Sequence, residues 1–335
     1  MFNKIYAAVK KFIIDNYKYL IVLFLILFLG LYRLPYNLLV GGGIIDINDR
    51  LEVENAFKIT GSYNLAYVKE TKATIPFYLL SYLFNWERES IEDSKIDEND
   101  SSKDIWEREK MYLEEANNNA IISASSLAGI DIKINKEILK VLYIDKDSDT
   151  NLKIGDIIEK IDGIEVKEYS DIASILTNKN ISDRVDVEYI RDNQKQNGYF
   201  IVREMDGMKK AGLYLIKLYD YEIDKNISIN FPNNEGGPSG GLMTSLALYD
   251  KLTEKDLTKG KTIVGTGTID INGNVGEIGG VKYKLKGAVS GKADIFFVPE
   301  ANYQEAVNLK KEKEYNIDIV MVKTLSDAVQ YLESR

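Results

Sequence analysis

Ser239 lies in the stretch Phe231 to Ser245, FPNNEGGPSGGLMTS, flanked by glycine pairs and a proline. It directly precedes Leu242, Met243, Leu246, Ala247 and Tyr249, which have helical spacing. The free backbone N–H groups and positive dipole end of a helix N-terminus favour an anion, which is what acyl transfer needs at its oxyanion. The same stretch also reads as a tight loop with a serine cap. The chain contains no histidine and no cysteine, so Ser/His/Asp and Cys/His chemistry are excluded, as are zinc sites built on those residues. A serine nucleophile here needs a lysine base, neutral near pH 7, and burial or nearby positive charge must bring its pKa well below ~10.4. Lysines follow a second glycine pair in Gly279-Gly280-Val281-Lys282-Tyr283-Lys284-Leu285-Lys286. On a helix at about 100° per residue, the apolar arc of Val281, Leu285, Ala288 and Val289 has Lys284 on one edge and Lys282 on the other. Patterning therefore leaves both lysines open.

Five blocks carry a resemblance. Gly237-Pro238-Ser239-Gly240-Gly241, Gly265-Thr266-Gly267-Thr268-Ile269, Asn272-Gly273, Gly276-Glu277-Ile278-Gly279-Gly280 and Lys282-Tyr283-Lys284 follow one another in the order seen in the proteolytic domain of Lon proteases. The spacing of Ser239 and Lys284 resembles that in membrane-anchored, PDZ-containing Lon-like proteins of Gram-positive bacteria. The resemblance implies a Ser/Lys dyad, with Ser239 as nucleophile, Lys284 as general base and Thr266 beside the lysine amine. The backbone around Pro238, Gly240 and Gly241 would form the oxyanion site. One position departs from the pattern: many Lon domains carry an acid three residues before the serine, where this chain has Gly236, with Glu235 one position earlier.

The elements that must position these residues follow from the rest of the chain. Lys4, Lys10, Lys11 and Lys18 face only Asp15 in residues 1–18, and Tyr19 to Tyr32 carries no charge. With Leu34 to Val40 again largely apolar, and with Lys18 and Arg33 able to snorkel, residues 19–36 read as a transmembrane signal anchor. Basic residues before it and Asp46, Asp49, Glu52 and Glu54 after it place the N-terminus in the cytoplasm and the bulk of the chain outside. No Ala-x-Ala-like cleavage site follows the apolar run.

Residues 44–126 read as strands and a helix that pack with the C-terminal domain. Ala56 to Thr60 and Tyr63 to Val68 are strand-like around Gly61-Ser62. Ile75 to Trp86 is apolar but too short to span, so it suits a packed or interfacial segment. Ile91 to Asp104 is an acidic loop, and a helix from about Asp104 to Ser126 has Met111, Ala116, Ala120, Ile121 and Ala124 as its buried stripe.

Residues 127–205 change to short strands. Leu152 to Val166 resembles the central signature of PDZ domains, with an Asp162-Gly163 hairpin turn and a helix over Tyr169 to Leu176. The resemblance implies binding of an extended peptide by strand addition, and Glu137, Ile138, Leu139 and Lys140 are the candidate edge. Residues 206–335 begin with strands around 211–217 and 223–230. They pass the serine turn, a strand at Thr262 to Ile271 and a hairpin at Asn272-Gly273, and end in alternating strand and helix.

Gly260-Lys261-Thr262 is no phosphate loop, because position 255, where a glycine is required, is lysine. Gly265-x-Gly267 lacks the third glycine of a dinucleotide fingerprint, since residue 270 is aspartate. A net charge of −9 with dispersed basic residues argues against nucleic acid. The expected fold is α/β (α+β): a Lon-type proteolytic domain with a β-rich PDZ domain inserted upstream and an N-terminal transmembrane helix. The expected function is an ATP-independent serine endopeptidase acting outside the cell membrane, without cofactor or metal, on unfolded or extended proteins that the PDZ domain selects. A non-catalytic PDZ scaffold and a peptide-sensing regulator are the alternatives. Lon catalytic domains often form rings, but nothing in the sequence sets an oligomeric state.

Overall fold

The computed structural model describes residues 2–54, 56–96, 100–205 and 207–335. Met1, Asn55 at the start of the expected strands, residues 97–99 of the acidic loop and Asp206 at the domain boundary lie outside the described residues, as do the side chains of Asn3 and Lys4. The chain divides into two compact units, residues 1–41 with 68–94 and residues 42–67 with 95–335.

In the first unit, α1 runs from Phe2 to Leu31. Its stretch Ile5–Leu31 is long and apolar enough to cross a membrane, and none of it is buried in protein. Residues 33–36, expected in the apolar span, instead begin the strand Arg33–Asp46. Pro35 explains the change, because the residue before a proline is driven out of the helical region. Tyr36 to Leu39 pair antiparallel with Ser90 to Glu87. The Ile75 to Trp86 run forms α2, Ile75–Leu83, with Pro76 in its first turn, where a missing N–H costs nothing. Leu79, Leu83 and Phe84 are exposed, so this helix presents apolar side chains outward rather than packing them away.

In the second unit, α3 is Ser102–Leu127, started by a reciprocal Ser101/Asp104 capping box. Its expected stripe of Met111, Ala116, Ala120, Ile121 and Ala124 is buried. Ala120, Ile121 and Ala124 share a core with Leu242, Met243 and Leu246 of α5, Gly241–Thr253. Behind these helices a parallel sheet places Thr262–Gly265 between Ser62 to Leu65 on one side and Ile295–Pro299 on the other, with Asp318–Val322 beyond. Ala56 to Thr60, expected as a strand, has no strand partner among the described residues. The Thr60 amide is satisfied by Asp256 instead, and Gly61 donates to the Thr258 hydroxyl. The expected strand Thr262 to Ile271 is interrupted at Thr266 and Gly267, leaving the short pair Thr268–Ile269 and Val275–Gly276.

A separate core, from Leu139 and Val141 to Phe200 and Val202, lies in a sheet ordered 213–223, 132–144, 157–161, 184–191, 194–201. The helix α4, Tyr169–Thr177, contributes Ile172, Ile175 and Leu176 to this core. Positive φ at both Asp162 and Gly163 makes the turn between Ile157–Ile161 and Ile164–Glu165 the primed type expected of a two-residue hairpin. The strand Ile132–Ile144 runs beside Leu213–Ile223 along its length, so this module hangs from a two-stranded ribbon.

Glu137, Ile138, Leu139 and Lys140 do not offer the open edge expected of them. On one side they pair with Tyr219 to Ile216. On the other, the Glu137 amide donates to Lys167 O, and Leu139 and Lys140 pair with Ile158 and Ile157. Strand addition needs unpaired N–H and C=O groups, which an interior strand lacks. Glu137 also accepts from the Tyr169 amide and pairs with Lys217, so its carboxylate is occupied as well.

Candidate functional site

Ser239 stands in the turn that leads into α5, half-buried, two residues ahead of the helix. The turn lies against the interrupted strand. Gly267 N donates to Ser239 O at 2.9 Å, and the Thr266 hydroxyl donates to the same oxygen at 3.2 Å. Leu242 N returns a bond to Gly267 O at 3.1 Å. Closeness of this kind requires a glycine at 241, where a Cβ would sit 2.7 Å from Ile269 Cγ2. Serine, threonine and the helix start are thus held together by two backbone bonds and the Thr266 hydroxyl across residues far apart in sequence.

The amides near Ser239 are not equivalent. Pro238 has no N–H to give, and Gly241 N already donates to Pro238 O at 3.2 Å. Among the described residues, the amides of Ser239 and Gly240 make no hydrogen bond. Upstream, Gly237 N donates to Glu109 O of α3, and Glu235 is tied to Arg50 at 2.8 Å. Glu235 is therefore engaged in an ion pair that anchors the loop.

The lysines separate in α6, Val281–Ser290. Lys282 and Lys286 are exposed, whereas Lys284 is buried, with 5% of its surface accessible. Val281, Leu285 and Ala288 hold this helix in a core with Val264 and Phe296. Burial lowers the Lys284 pKa to about 8, because no carboxylate compensates its charge. Among the described residues the Lys284 side chain makes no hydrogen bond or ion pair, with Ser239 or otherwise, while its amide donates to Gly280 O at 3.1 Å. Gly280, in the left-handed region at φ 71°, caps the helix start.

The turn before α6 has a support that residue patterning does not reveal. The buried Asn302, on α7, Glu300–Glu312, accepts from Ile278 N and donates to Ile278 O, both at 2.9 Å. Asn119 of α3 likewise donates to Ile269 O at 3.1 Å. On sequence alone an isolated asparagine carries no sign of a partner so far along the chain.

Comparison with known proteins gives two matches. Residues 212–333 match the Lon protease (S16) C-terminal proteolytic domain, and residues 126–198 match the PDZ domain. Over 120 residues the chain is 31% identical to a Lon protease of Campylobacter jejuni subsp. jejuni, covering 35% of this chain and 14% of the relative. Over 112 residues it is 34% identical to a Lon protease of Mycoplasma genitalium, covering 32% and 14%. The chain thus spans about a seventh of the length of these curated relatives. Among solved structures, the PDZ domain of an SdrC-like protein from Listeria monocytogenes is similar at 21% identity, with a TM-score of 0.23, over 25% of this chain and 93% of that one. The chain carries a Lon-type proteolytic domain and a PDZ domain.

Proposed function

We propose that this chain is a membrane-anchored, ATP-independent serine endopeptidase with a Ser239/Lys284 dyad, acting outside the cytoplasmic membrane. The observation that carries this reading is the buried, uncompensated Lys284, whose neutral form is accessible near physiological pH, in a domain that also sets a serine at a helix N-terminus. Ser239 Oγ attacks the peptide carbonyl carbon while its proton passes to the neutral Lys284 amine. The oxyanion is received by the free amide of Gly240, with that of Ser239 beside it; Pro238 and Gly241 shape the turn. The Lys284 ammonium then gives its proton to the leaving amine, and the C–N bond breaks. Water, deprotonated by the same amine, hydrolyses the acyl-enzyme and restores Ser239. The Thr266 hydroxyl, its proton committed to Ser239 O, keeps lone pairs with which to orient the lysine.

The four lysines ahead of the apolar run support a cytoplasmic N-terminus. The PDZ domain supports capture of peptide segments, and an ATP-independent enzyme of this kind acts on unfolded or extended chains. Casein cleavage by the full chain in detergent tests the dyad. Ser239→Ala and Lys284→Met are expected to lose activity, and Lys282→Met, on the exposed face, to keep it. Equal activity in all four proteins refutes the dyad. Four folded but inert proteins favour a PDZ scaffold.

A further inference from the structure

A cleft of about 440 Å³ adjoins the serine turn. One wall is a single face of α3, because Tyr112, Glu115, Ala116 and Asn119 recur at helical spacing. The hairpin around Ile269 and Val275 and Pro238, the neighbour of Ser239, complete the lining. Among the described residues no lysine or arginine lines the cleft, whereas Glu115 and Asp270 do.

The two acids differ in how they are used. The Asp270 carboxylate is spent inside its own turn, accepting from Asn272 N and from both the backbone and side-chain nitrogens of Asn274. The Glu115 carboxylate makes no hydrogen bond or ion pair among the described residues. It is half-buried, and burial raises its pKa while Lys217, itself paired with Glu137, opposes the rise. A partly dehydrated carboxylate without a hydrogen-bond partner is costly, and a cation entering the cleft would relieve that cost further than Lys217 does. Ala116, Ile269 and Val275 supply apolar surface, which suits the methylene stem of a long basic side chain.

We infer that this cleft is a substrate subsite for a lysine or arginine side chain, with the stem lying along Ala116 and Val275 and the charge meeting Glu115. The assignment rests on the protease reading only in taking Ser239 as the place where the scissile bond lies. It makes α3, which lies wholly before the Lon-matched residues 212–333, the selector of the substrate.

Binding and cleavage separate the two claims. Two pools of C-terminally amidated peptides, with uncharged residues randomised around one central lysine or one central norleucine, are titrated by fluorescence anisotropy against full-length Ser239→Ala protein in detergent. The lysine pool should bind on the order of tenfold more tightly, and Glu115→Gln in the same background should remove that advantage while leaving norleucine binding unchanged. Equal binding of the two pools, or an advantage that survives Glu115→Gln, overturns the subsite. Cleavage of the same pools by protein with Ser239 intact addresses only the protease reading. Failure to cut either pool, with the lysine advantage in place, sinks that reading and leaves the subsite standing.

Discussion

At the scale of single residues, the charge state of Lys284 would link stability to the proposed activity. Its folded pKa of about 8 lies below that of a free lysine, so the unfolded chain binds the extra proton between roughly pH 8 and 10.4. The cost of burying the charge is fully present below pH 8 and is relieved as pH rises towards 10.4. Lys284→Met should therefore stabilise the protein at pH 7, by on the order of 3 kcal/mol, and the gain should shrink towards pH 10; thermal melts at both pH values measure it. Activity should follow the neutral fraction, rising about tenfold per pH unit below pH 8 and levelling above it. A profile flat from pH 6 to 9 would rule out Lys284 as the base. The glycine turn and its serine were legible from residue types alone. Choosing between Lys282 and Lys284 was not, because both flank one apolar arc and only the packing of α6 decides which is covered.

At the scale of elements, α6 is aimed by what holds its start. Asn302 satisfies both backbone groups of buried Ile278, so Asn302→Ala leaves an N–H and a C=O without partners. We expect a loss of about 2–4 kcal/mol in stability and a fall in kcat with little change in KM. A variant that loses stability but keeps its kcat would make Asn302 merely structural. The stripe on α3 could be read because one helix face repeats every three to four residues. The strand read into Ala56 to Thr60 was an error of another kind: β-like residues pair only where a neighbour exists, and this stretch meets the turn at Asp256 and Thr258. The edge expected at Glu137 to Lys140 failed for the converse reason, since the distant strand 213–223 occupies it.

At the scale of the whole molecule, each compact unit makes a separate demand. In the first, α1 and the exposed apolar α2 suit lipid, and the proposed orientation is open to direct test because the chain lacks cysteine. Glu305→Cys, at an exposed position, should react with a membrane-impermeant maleimide in intact cells. Labelling only after lysis would reverse the topology. In the second unit, Thr262–Gly265 has one sheet neighbour about two hundred residues earlier and another some thirty residues later. Such pairings carry a large loop-closure cost and form slowly. During synthesis at about 5–20 residues per second, the edge at Ser62 to Leu65 must wait on the order of ten seconds or more for its partner. Meanwhile the core drawn from residues 139–215 can close by itself. A nascent chain would thus complete its PDZ module while its Lon-type domain is still unfinished, so that, under the proposed function, the growing polypeptide stays safe from its own serine turn.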